Sequence, residues 1–285
     1  MSIVNEAVLA TLNISSYNPF KRAKGKTQEV AQETGADINS VSVTKRLLSK
    51  RITEAHTKLE REARAVHYDM TLPWVDRGPA LLPVKLFTEY EAAMLSLQSK
   101  YWGTVDEFLV HYVDHINEAR VRLGDLFNVA DYPAAEEIKS KFKFNLRFDQ
   151  ISDSSDIRVN LGAADVEKIR ADINNKVNEG MQEAVDGIYD RVLAVTEAMA
   201  ERLGQSREDG TAQIFRDTLV SNVERVVQLL PALNLTGDPK LVEIHTQMKR
   251  LTKYSPAQLR VSESARKETA TQAATVAGLA GYMGV

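Results

Sequence analysis

The chain has 285 residues, 44% hydrophobic and 26% charged, with a formal net charge of −3 and no cysteine. That length and apolar content allow one large domain or two small ones with a true core, and exclude a disordered chain. The missing cysteines exclude disulfides, thiolate metal sites and cysteine nucleophiles and fit a reducing cytoplasm, while the charge gives no global field toward nucleic acid or acidic lipid, so such binding needs a local patch.

Met1 to Ile14 is interrupted by Asn5, Glu6 and Asn13 and lacks the basic start and unbroken apolar run of a signal peptide. No stretch approaches the ~18–20 apolar residues of a membrane span. Ala7 to Ile14 reads as a short strand or a helical turn. Ser15 to Ser42 is polar, with Lys21, Arg22, Lys24 and Lys26 in close order, and reads as a basic arm with little core of its own. Gly25–Lys26–Thr27 has the form of the end of a phosphate-binding loop. The glycine that such a loop needs five residues earlier is Phe20, and no acidic partner stands at a strand end, so a basic arm is the simpler reading.

From Leu48 to Met70, apolar residues recur in steps of three and four, which predicts a helix that stops before Pro73. Thr71 to Pro83 is a connector that Trp74 pins to the core. Thr88 and Glu91 fit a capping box, and Tyr90, Met94, Leu97, Tyr101, Val105 and Phe108 begin a stripe that keeps phase to Leu123. One helix of about 88–123 follows, although Gly103 and the second capping box Thr104 to Glu107 mark a place for a break. After a short helix at Asp131–Tyr132–Pro133 the period changes to two. Phe142, Phe144, Leu146 and Phe148 alternate with Lys141, Lys143, Asn145 and Arg147, and Ile157, Val159 and Leu161 alternate with Arg158 and Asn160. This predicts a β-hairpin over 141–161 with one apolar and one basic face.

A second long stripe from Val166 to Leu203 predicts a helix of about 164–203 closed by Gly204. Gly180 and Gly187 inside it cost up to ~1 kcal/mol each against alanine, which close approach of another backbone explains. Further helices follow, one stopped near Pro231, one opened by Asp238–Pro239 and one by Ser255–Pro256. Ala265 to Val285 carries only a thin stripe and is expected to fray. The fold class is therefore mainly α: a long antiparallel helical hairpin, coiled-coil-like, with a small β-hairpin insertion and additional packing helices. The expected organisation is an N-terminal arm (1–48), a helical domain (49–253) and an Ala/Gly-rich tail (254–285).

Chemistry-bearing patterns are sparse. His111 and His115 have the i, i+4 spacing of zinc ligands, with Asp114 where a metalloprotease-like H-x-x-E-H pattern has glutamate. A carboxylate one methylene shorter sits poorly for activating water, and no third ligand is fixed, so two histidines on a helix flank are the simpler reading. The arm cations Lys21, Arg22, Lys24 and Lys26 and the hairpin cations Lys141, Lys143, Arg147 and Arg158 form a candidate nucleic-acid surface, because phosphate binding needs clustered Lys and Arg. The hairpin phenylalanines point the other way, toward core packing. No catalytic motif and no cofactor site stand out.

Several segments resemble a phage-encoded family, the domain of unknown function 3150. The resemblance runs through Ala10 to Ser15, through His67–Tyr68 with Thr71–Leu72–Pro73–Trp74, and through Arg122 to Phe127 with Asp131–Tyr132–Pro133. It ends with Leu229–Leu230–Pro231 and Asn234 to Pro239. Most of the chain is covered, but the family carries no functional residue over. It implies a tailed-phage protein of the infected host's cytoplasm, or of the virion, encoded near a MoxR-type AAA+ ATPase and a von Willebrand A protein. The expectation is a non-enzymatic accessory protein acting by protein–protein contact. It would pair with itself as a homo-oligomer, with another phage or host protein or with the AAA+ ATPase; nucleic acid is the alternative partner, and no membrane is involved.

Overall fold

The computed structural model describes residues 3–75, 78–155, 162–205 and 213–281. In chain order the elements are β1 (Ala7–Ser15), β2 (Phe20–Arg22), α1 (Lys24–Thr34), β3 (Thr44–Arg46), α2 (Lys50–Met70) and β4 (Ala80–Pro83). They continue as α3 (Phe87–Val110), α4 (Tyr112–Leu123), α5 (Ala135–Lys139), β5 (Lys143–Asp149) and α6 (Ala163–Gly204). The last four are α7 (Thr218–Leu233), α8 (Pro239–Leu251), α9 (Pro256–Val261) and α10 (Glu263–Gly281). The fold is mainly α with a small sheet, and no described helix is long and apolar enough to cross a membrane.

The chain forms two compact units, each assembled from separated stretches: residues 1–11, 68–90 and 147–285 make one, and 12–67 with 91–146 the other. A three-stranded sheet has the order β4-β1-β5.

In the first unit, β1 pairs antiparallel with β4, Ala7 opposite Pro83 and Ala10 opposite Ala80. The 42-residue helix α6 packs along α10 and α7. The tail that was expected to fray is therefore helical up to Gly281. Ser255 and Gln258 form a capping box that starts α9, and α10 buries Ala265, Ala270, Ala273, Val276, Ala277 and Ala280. A stripe of alanines has low hydrophobicity, but short side chains let two helices approach closely and keep their dispersion contacts. Gly180 and Gly187 are crowded by a different neighbour from the one expected. A Cβ at Gly180 would stand 2.7 Å from the Trp74 ring, and one at Gly187 would stand 2.6 Å from the Pro73 ring. The connector thus lies on α6 through two rings rather than a backbone. Arg191 holds it there by donating to the carbonyl oxygens of Thr71 and, at 3.1 Å, Asp69. Helix α7 runs through Pro231 instead of stopping at it, and buried Leu229, Leu230 and Leu233 hold its last turns.

The expected arm contains β1, β2, α1 and β3; its part in the second unit, from Leu12, ends in Leu47 and Leu48, both buried. Strand β2 pairs antiparallel with β3: Phe20 opposite Arg46, Lys21 opposite Lys45, Arg22 opposite Thr44. The core is aromatic. Tyr101 packs on Phe144 (centroids 5.6 Å apart) and Phe108 on Phe142 (5.7 Å). His56 meets Phe142 edge-on at 5.2 Å. Gly103 lies inside α3 without a break; the interruption falls at His111, one residue long. The i→i−4 bonds His111 N to Glu107 O (3.3 Å) and His115 N to His111 O (3.0 Å) carry the helical phase across it. At the start of β5 and just before it, Phe142 and Phe144 are buried while Lys141, Lys143, Asn145 and Arg147 are exposed, the alternation that the period of two implies. The described partner of β5 is β1; the expected return strand Ile157 to Leu161, with Arg158, lies outside the described residues.

Candidate nucleic-acid interface

The β2–β3 ribbon sets two lysines directly opposite each other, Lys21 and Lys45. Like charges in that register repel, and Asp131 offsets this. Its carboxylate takes Lys21 Nζ at 2.9 Å and Lys45 Nζ at 2.5 Å, and Lys45 also donates to Leu126 O at 2.6 Å. Burial pushes the Asp131 carboxyl up, but the two ammonium groups together outweigh it and hold it below the ordinary value. The turn that presents Asp131 is built locally. Gly124 leaves α4 with φ +50°, Asn128 Oδ1 accepts from Ala130 N at 2.9 Å, and Tyr132 donates its hydroxyl to Leu47 O at 3.1 Å.

Beside this clamp opens a cavity of about 780 Å³, walled by the ribbon, the start of α1, the end of α4 and the 125–131 turn. Six cations line it, Lys21, Arg22, Lys24, Lys26, Lys45 and Arg120, against three carboxylates, Glu29, Asp125 and Asp131. Lys26 is paired with Glu29. Among the described residues, Arg22, Lys24 and Arg120 make no ion pair with a carboxylate; Arg22 donates to Val41 O at 3.3 Å. The start of α1 carries no side-chain cap and no acid in its first turn. Its first N–H groups therefore add partial positive charge to the same cavity.

Cations outnumber carboxylates on this surface, and the Gly25–Lys26–Thr27 segment does not present its threonine to it. Thr27, the residue of a phosphate loop that would ligate magnesium, is buried; its hydroxyl donates to Ala23 O (3.0 Å) and accepts from Val43 N (3.1 Å). Phe20 is a strand residue with the Arg46 guanidinium 5.0 Å from its ring centroid. Phe127 in the cavity wall is covered by Arg120 at 5.1 Å and stacked on Tyr132 at 5.4 Å and 26°. The Phe127 ring is thus engaged by both neighbours.

A second depression, about 540 Å³, is lined by Ser15, Ser16, Tyr17, Asn18, Ser140, Lys141 and Lys143. Burial raises the phenol pKa of Tyr17 in its wall, and the Asp131 and Glu137 carboxylates add to that rise. The four arm cations thus gather at the first depression, and Lys141 and Lys143 at the second, with Lys141 3.8 Å from Glu137. Arg147 belongs to the other unit and pairs with Asp149 at 2.8 Å. Lys45 lies in the arm but outside the Lys21–Lys26 run, and Arg120 and Asp131 come from the end of α4 and the turn after it, so only the ribbon register and the fold bring the three to this cavity.

His111 and His115 lie one turn apart at the start of α4. His111 is exposed at the start of α4, 3.6 Å from Asp114. His115 stacks on Phe108 with centroids 5.6 Å apart, and burial lowers its pKa. No cluster of three or more metal-ligating side chains occurs among the described residues. Compared with known proteins, the chain matches no family model, no curated protein and no solved structure.

Proposed function

We propose that this is a non-enzymatic binding protein that holds nucleic acid by its phosphate backbone on the surface of the 12–67 and 91–146 unit. The observation that carries the reading is the cavity of six cations against three carboxylates in a chain whose net charge is −3. Positive charge is concentrated there against the overall balance, as a local phosphate site requires. Arg22, Lys24 and Arg120, which make no ion pair with a carboxylate among the described residues, make the contacts. The phage setting that the sequence resemblance implies, in the host cytoplasm, is one where such binding has use.

The test is fluorescence anisotropy with a labelled oligonucleotide at several salt concentrations. Contacts to about four phosphates of a single strand give a slope of log affinity against log salt of about −3. The variant with Arg22, Lys24 and Arg120 all changed to Ala should lose about three contacts' worth of that slope. Absence of salt-dependent binding by the intact chain refutes the proposal.

A further inference from the structure

One arginine of the phosphate surface is seated by its own neighbours. Tyr132 is buried, and its hydroxyl is anchored on Leu47 O at 3.1 Å. Phe127 stacks on the Tyr132 ring, and the exposed Arg120 guanidinium lies 5.1 Å from the centroid of Phe127. This ladder of two rings and a guanidinium holds Arg120 at the cavity wall, where it makes no ion pair with a carboxylate among the described residues. An arginine already resting on an aromatic face loses less freedom when its fork takes an anion.

The charge around Arg120 is concentrated. Of the carboxylates in the wall, Asp131 is taken by Lys21 and Lys45, Glu29 by Lys26, and Asp125 lies within electrostatic reach of Lys26. Arg22 from the ribbon, Lys24 from the first turn of α1 and Arg120 from the last turn of α4 then line one space of about 780 Å³ without a carboxylate partner among the described residues. Gly25 leaves the first turn of α1 open beside them: a Cβ there would meet nothing within 4 Å. Such a volume suits a pocket for a discrete group. Channels for the interior of a strand instead track its backbone and offer aromatic rings to its bases; the aromatic residue lining this cavity, Phe127, is engaged by Tyr132 and Arg120. An interior phosphodiester brings one negative charge and two free oxygens, whereas a terminal phosphate monoester brings close to two charges and three free oxygens. Three cations converging on one place match the monoester better. Building on the nucleic-acid reading above, we propose that the cavity seats the phosphorylated end of a strand, the Arg120 fork taking two of its oxygens and Arg22 and Lys24 facing the third.

The test is anisotropy of the full chain with one oligonucleotide, labelled at an internal base so that both ends are free. The strand is prepared with hydroxyl ends, or with a phosphate on one end or the other. At one ionic strength a phosphorylated form should bind at least about tenfold tighter than the hydroxyl-ended form. Arg120→Lys keeps the charge and loses the fork, so it should cut that preference to about twofold or less; Arg120 is exposed, and thermal melting should not change. A nucleoside monophosphate carries the same monoester without a strand, and at matched ionic strength it should bind at least about tenfold more weakly than the phosphorylated strand. Equal affinity for all strand forms, the full preference in a folded Arg120→Lys chain, or a mononucleotide that binds as tightly as the strand overturns the inference and leaves the backbone reading standing. Binding of no strand at all overturns both.

Discussion

His245 Nε2 lies 3.0 Å from the carbonyl oxygen of Val227, the acceptor that Pro231, four residues on, leaves without its helical N–H. Proline inside a helix removes one i→i−4 bond, and a buried carbonyl without a partner is costly. Here a side chain from α8 supplies the missing donor to α7, which fixes the Nε2–H tautomer. Replacing His245 with Ala should therefore destabilise the chain by about 1–2 kcal/mol. In a Pro231→Ala background the backbone N–H returns, and the same replacement should cost less by about 1 kcal/mol. A double-mutant cycle from urea unfolding measures that coupling; additive costs would show that the two residues are independent.

Gly103 lies inside α3 and Gly180 and Gly187 inside α6, and the same substitution should act on them with opposite signs. Alanine at Gly180 or Gly187 puts a Cβ 2.6–2.9 Å from the Trp74 or Pro73 ring. The connector must then shift, and the loss of packing should exceed the helix-propensity gain, for a net cost of about 1–3 kcal/mol. Alanine at Gly103 meets open space and should stabilise the monomer by up to ~1 kcal/mol. Thermal melts of the three single variants decide this, and a stabilised Gly187→Ala would show that the ring contact is dispensable.

These cases show what a one-dimensional pattern carries. Steps of three and four located α2, α3, α4 and α6, because burial of one helix face imposes that spacing wherever the helix lies. Alternation at Phe142 and Phe144 located β5 for the same reason. The spacing says nothing of which stripe meets which, so the partnership of α6 with α10 was illegible, and α10's alanines looked too weak to matter. Pro231 looked like a stop because its compensating donor, His245, comes from another element. At the candidate site, Lys21, Arg22, Lys24 and Lys26 were visible as a run. Lys45 needed the ribbon register, and Arg120 and Asp131 needed the fold to bring α4 and its following turn beside the arm.

Asp131 should separate stability from binding. Asp131→Asn removes the charge that Lys21 and Lys45 share and leaves Lys45, whose side chain is only 10% exposed, beside a neutral amide. The chain should lose about 2–3 kcal/mol of stability. The cavity, now six cations against two carboxylates, should bind an oligonucleotide more tightly, by about twofold to tenfold at low salt. Urea melts and anisotropy on the same preparation check both signs. Weaker binding by a folded Asp131→Asn chain would mean that the clamp, not the net charge, organises the site.

Two buried histidines of the 12–67 and 91–146 unit set its acid limit. Burial lowers the pKa of His56 to about 4, against a smaller opposing pull from Glu60. Burial likewise lowers that of His67 to about 4, with the Arg64 guanidinium adding to the fall. Both are neutral when folded, whereas in the unfolded chain each titrates near 6.5. Between about pH 6.5 and pH 4 the unfolded state binds more protons, so stability rises with pH across that window. The contribution is complete above pH 6.5 and is lost as pH falls, on the order of 3 kcal/mol per histidine by pH 4. Replacing His56 with Gln, which keeps the size and removes the titration, should lower stability at pH 7 yet flatten the loss on acidification. Urea unfolding at pH 7, 6, 5 and 4 measures this; an unchanged slope in the variant would show that His56 is not among the groups that protonate.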